Sequence, residues 1–122
     1  MTTYTPPGWP AGVRPPGAVD WEATATAFLL DCCPPDFRAY PVLRRHPVVL
    51  ARFATHFVAG QCEAAQTAVA LIRTELADWV SAEVVAAAAD AWLEQGARLL
   101  RVRRSVRLVE EALQGVSFVP KL

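Results

Sequence analysis

Leu76-Ala77-Asp78-Trp79-Val80-Ser81-Ala82-Glu83 lies where two long apolar patterns meet, and its phase decides the fold. Upstream, Val58, Cys62, Ala65, Val69, Ile72, Leu76 and Trp79 alternate at steps of four and three, one face of a helix. Carried past Trp79 unbroken, that stripe would put Glu83 and Asp90 in a buried seam, where an unpaired carboxylate is costly. The downstream residues follow a stripe shifted by one instead: Val85, Trp92, Leu99, Val106 and Leu113 recur every seven residues. Between Gly60 and Gly96 no Gly or Pro forces a break, but Ser81 is a natural N-cap. Phase and cap together predict a tight turn near Trp79 to Ser81 between two antiparallel helices.

The first long helix is expected over residues 47–80, opened by Pro47 at a first helical position. The second is expected over 82–114, closed by Gly115 as a left-handed C-cap with Pro120 soon after. Each of about 32 residues would be roughly 48 Å long. A parallel stripe of Leu50, Phe53, Phe57, Gly60, Ala64, Ala68 and Leu71 widens the apolar face of the first helix. That width suits a helix with two neighbours rather than a thin coiled-coil seam. Alanine and glycine crowd the middle of both helices and allow close approach of the axes. Trp79 and Trp92, about equally far from the turn, are expected to pack together as core.

Residues 1–19 hold five prolines and three glycines and form an extended, proline-rich arm rather than a helix. It is either a flexible tail or an arm docked through Tyr4, Trp9 and Val13, with Trp9 and Trp21 as anchors. Residues 20–122 form a single helical domain. It opens with a short helix over about 20–32, with Asp20 as N-cap and Trp21, Ala25, Phe28, Leu29 and Cys32 on one face. A proline-braced loop, 33–47, follows, with one helical turn around Val42 to Arg45. The class is all-α. One hairpin cannot cover both apolar stripes, so the short helix, the arm or another chain must; an antiparallel homodimer would make a four-helix bundle.

Composition narrows the function classes. The chain has 122 residues, 53% hydrophobic, with twelve basic and twelve acidic residues that cancel. Net charge therefore gives no pull toward nucleic acid or acidic lipid. Eleven of the twelve basic residues are arginine, which with the alanine and proline richness resembles the coding style of a GC-rich bacterial genome. Cys32, Cys33 and Cys62 are odd in number, a poor disulfide framework. The N-terminal residues lack the basic and apolar regions of a signal peptide, and no window approaches the roughly 18 apolar residues of a membrane span. The cytoplasm is the expected location.

No motif carries chemistry. His56 and Glu63 are about 10.5 Å apart along one helix, too far to share an ion, and no Glu-x-x-His pair occurs. Cys32-Cys33 is not a Cys-x-x-Cys clip, and Cys62 falls on the apolar stripe. Cys33, before two prolines, is the thiol that exposure could make reactive. No glycine loop is placed to cradle a phosphate. No catalytic, cofactor-binding or metal-binding residue is assigned.

The charge layout is the informative polar feature. Arg98, Arg101, Arg103, Arg104 and Arg107 cluster late in the second helix, beside Arg44, Arg45, His46, Arg52 and His56 in an antiparallel hairpin. Glu75, Asp78, Glu83, Asp90 and Glu94 crowd the turn end against the single Arg73. The candidate partner- or anion-binding surface is Arg44, Arg45, Arg98, Arg101 and Arg104. Against it stands a solvated face in which Arg107 pairs with Glu110 and Glu111, and late arginines complement the helix dipole. The expected function is a non-enzymatic interaction or assembly protein using the hairpin to bind its own copy or a protein partner. The alternatives are an anion or nucleic-acid binder through the arginines, and a small helical enzyme with a site between helices.

Overall fold

The computed structural model describes residues 3–121; Met1 and Thr2 of the arm, and Leu122, lie outside the described residues. Four helices and one 3-10 turn occur in the order α1 (Trp21–Asp31), 3-10 turn (Pro35–Ala39), α2 (Pro41–Arg45), α3 (Pro47–Leu76) and α4 (Ala82–Leu113), with no strand among the described residues. The protein is all-α, and α3 against α4 is its main packing contact.

The prolines of the loop act as starters. Pro35, Pro41 and Pro47 open successive helical segments, where a missing amide removes nothing and the fixed φ is already helical. α3 stops at Leu76, four residues before its expected end at Val80, and Ala77–Ser81 make the turn. Ser81 caps α4, its hydroxyl accepting the Val84 amide at 3.3 Å. At the far end Gly115, φ +93°, closes α4 as expected: the Gly115 amide donates to Ala112 O and the Val116 amide to Glu111 O. Asp20 precedes α1, but its carboxylate turns to Arg14 Nε at 3.6 Å instead of capping amides.

The arm is docked. Turns close from Pro6 to Trp9, Pro10 to Val13 and Pro15 to Ala18, and Trp9 Nε1 donates to Val13 O at 2.9 Å. Trp9 lies 6.4 Å from Trp21 and 6.1 Å from Phe118, so the arm, α1 and the tail after α4 meet at the open end of the hairpin. Val13 is buried in the core.

That core occupies only the open-end half of the hairpin. Leu29, Leu43, Leu50, Val58, Val106 and Val109 are fully buried there, each worth roughly 1.5–3 kcal/mol of apolar transfer. α1 and α2 lie against α3, and Leu50 is buried in the core they form with it. Phe37 adds an aromatic cluster, its ring 5.8 Å from Phe53 and 6.3 Å from Phe57.

Candidate docking face

Beyond the reach of α1 the hairpin is bare. Of residues 66–97, only Ile72 and Val85 are buried. On the parallel stripe of α3 Leu50 is buried and Phe57 half-buried, while Phe53 and Leu71 are each 45% exposed. The tryptophans of this region do not form core. Trp79 is 81% exposed at the turn and Trp92 38% exposed. Early termination of α3 at Leu76 removes Trp79 from the helical stripe on which the expected pairing depended.

A groove of about 420 Å³ runs along this bare half, lined from α3 by Cys62, Ala65, Gln66 and Val69 and from α4 by Trp92, Leu93, Gly96, Ala97 and Leu100. It forms because the residues at its floor are small. A Cβ added to Gly96 would lie 3.9 Å from that of Ala65, which fixes these two residues at one level of the hairpin. Leu93 and Leu100 stand exposed on its rim. Its lining is apolar apart from the Gln66 amide, the Cys62 thiol, the Trp92 indole N–H and backbone.

Helical register gives the side on which it opens. The cavity beside the end of α1 uses Phe57, Gln61, Arg98 and Val102. On α3 the groove's Cys62 is one residue on from Gln61, on α4 its Ala97 is one residue before Arg98, and each such step turns about 100° around the helix. The groove therefore faces away from α1, on the uncovered side of the hairpin.

The arginines expected to form a binding surface are all exposed and are carried by two helices, α2 and α4. Arg44 and Arg45 end α2, which packs on α3 and the 3-10 turn. Arg98, Arg101 and Arg104 lie along α4 at intervals of three residues. Arg104 is committed to the fold, donating from Nε and Nη2 to Pro7 O at 3.0 and 2.8 Å. Arg98 Nε donates to Gln95 Oε1 at 3.1 Å. Two aspartates of the N-terminal region are engaged locally, Asp20 by Arg14 and Asp31 by Arg38 at 2.7 Å.

Arg107 does not take Glu110 as its partner. Glu110 instead points into the helix pair and is 6% exposed, held by Arg52 Nε at 2.6 Å, Arg52 Nη2 at 3.0 Å and Thr55 Oγ1 at 3.1 Å. This clamp went unread in the sequence because its members are 55 and 58 residues apart. The one available signal was that Glu110 falls four residues after Val106 and three before Leu113, on the apolar face of α4.

A smaller cavity of about 330 Å³ brings Cys32, Cys33, Gln61 and Arg98 beside the end of α1. Its thiols are poor nucleophiles. Burial pushes Cys32 up to about 11, helped by Cys33 and Asp31 and opposed by Arg98. Burial also raises Cys33, which the structure buries rather than exposes. The Asp31 carboxylate at its edge is bonded to Arg38. Among the described residues no three His, Cys, Asp or Glu side chains come together as a metal site. No helix there is long and apolar enough to cross a membrane.

No protein-family model, curated protein or solved structure matches the chain significantly.

Proposed function

We propose that this chain is a small interaction or assembly protein, and that the bare half of its hairpin is the docking scaffold. The observation that carries the reading is the apolar groove between Trp92, Leu93 and Leu100 on one side and Ala65 and Val69 on the other. Leu93 is 57% exposed and Leu100 47%, although both lie on a helix with ample polar positions. A contiguous apolar strip rimmed by charged residues marks an interaction site more often than a solvated surface. A strip between two helix axes suits another helix laid into it. The opposite half of the hairpin is braced by α1, the arm and the Arg52–Glu110 clamp, so it holds the groove without needing the partner to fold.

The anion-binding alternative has weaker support, since Arg104 is spent on the arm and Arg44 and Arg45 project from a different element. A bacterial cytoplasm suits the reading, because a reducing compartment keeps Cys32, Cys33 and Cys62 free.

The test is photo-crosslinking in cells with a photoreactive phenylalanine analogue replacing Leu93, compared with the same analogue replacing the exposed Arg45. Adducts of defined mass from position 93 only, abolished by Leu100→Glu, are expected. Absence of any adduct from position 93 would remove the docking function.

A further inference from the structure

The groove reading leaves its occupant unnamed, and the charges on either side of the groove select one. Resting on that reading, we propose that the occupant is a second copy of this chain, laid antiparallel so that two hairpins form a four-helix bundle.

The α4 lining of the groove runs from Trp92 to Leu100 and is centred on Gly96. Toward the turn from that centre lie Glu94, Asp90 and Glu83, joined by Asp78 and Glu75, with Arg73 the one basic residue between Gln66 and Ala97. Toward the open end lie Arg98, Arg101, Arg103, Arg104 and Arg107, with no carboxylate on α4 before Glu110. The sign of the charge thus changes across the middle of the groove. A two-fold axis through the level of Gly96 and Ala65 brings residues equally far before and after Gly96 to one height. Asp90 then stands level with the partner's Val102, between the partner's Arg101 and the partner's Arg103. The acidic turn reaches the partner's arginine-bearing stretch.

A parallel arrangement would stack acid on acid and arginine on arginine, which disfavours it. An unrelated helix would need both an apolar face and a matching reversal of charge, whereas a second copy has both by symmetry. From Ala82 to Glu110 the overlap runs about 42 Å along two helices per subunit, enough length for an interface of ordinary size. Affinity would come from Trp92, Leu93 and Leu100 entering the facing groove, and orientation from the flanking charges.

The experiment is sedimentation velocity of the full chain over a concentration series at low and high salt. A dimer is expected, weaker at high salt. Asp90→Arg, or Arg101→Glu with Arg103→Glu, should each weaken association roughly tenfold. The three changes combined should restore it, because the facing charges are reversed but still complementary. Circular dichroism checks that each variant keeps its helices. A dimer indifferent to either reversal, or not restored by the combination, overturns the antiparallel register. A monomer at every concentration overturns the second copy. The crosslink from position 93 separates the two ideas: an adduct of twice the chain mass supports the dimer. An adduct of any other mass overturns the dimer while leaving a docking groove in place.

Discussion

Arg52 grips Glu110 from across the hairpin with two nitrogens, Nε on Oε2 at 2.6 Å and Nη2 on Oε1 at 3.0 Å. Glu110 is buried while about half of the Arg52 side chain faces solvent, so the two ends of this pair are not equivalent. The carboxylate has left water for the seam between α3 and α4, and the guanidinium and the Thr55 hydroxyl replace its hydration.

That asymmetry gives a first prediction. Arg52→Ala strands a buried carboxylate with Thr55 as its remaining donor, and should cost about 2–3 kcal/mol in urea unfolding. Replacing both residues with methionine should cost less than Arg52→Ala alone, since no charge is then left buried. An additive double mutant would mean that the pair is not coupled.

The uneven core gives a second. Leu29, on α1, is fully buried, and Leu29→Ala should cost about 2–5 kcal/mol. Trp79, larger and read from sequence as core, should tolerate alanine within about 0.5 kcal/mol because it is already in water. Chemical denaturation of the two variants side by side decides between these placements.

Local rules made the hairpin readable. The phase shift, the Ser81 cap and Gly115 each act within a few residues, and all three stand where expected. Pro47 was equally legible as a helix start, whereas the 3-10 turn that Pro35 opens lies where only a loop was expected. What escaped was whatever depends on which side of the hairpin α1 covers. Periodicity marks Trp92 and Leu99 alike as apolar-face residues, yet Leu99 is buried and Trp92 is 38% exposed on the groove, on the side that α1 leaves open. No short-range pattern encodes that side. The engagement of Arg104 was equally out of reach of local patterns, because the arm that takes it arrives from 97 residues away.

Thiol chemistry gives a third prediction. Burial keeps Cys32 protonated in the folded chain up to about 11, above its ordinary value of 9.0. Between those values the unfolded thiol ionises and the folded one does not, so the unfolded state binds fewer protons and stability falls as pH rises. Cys32→Ala should flatten that part of the curve measured by urea unfolding between pH 8 and about 11. In the folded protein at pH 8, labelling of Cys32 and Cys33 by iodoacetamide should be slower than in urea. Equal rates would contradict their placement.

The arm supplies the last. Gly8 sits at φ +98°, with its carbonyl accepting the Ser105 hydroxyl at 2.6 Å and the preceding carbonyl accepting Arg104. A Cβ there would lie 2.6 Å from Arg104 Nε, so Gly8→Ala meets both an unfavourable φ and the side chain that holds the arm down. The cost should be about 1–2 kcal/mol and fall on the arm alone, because α3 and α4 pack without it. Hydrogen exchange should then show lost protection at the Trp9 and Val13 amides, whose turns close on Pro6 and Pro10, while the amides around Val106 and Val109 keep theirs. Loss of protection at Val106 as well would mean that the arm is part of the core's cooperative unit. Val13, buried against that core, is the residue through which such coupling would run.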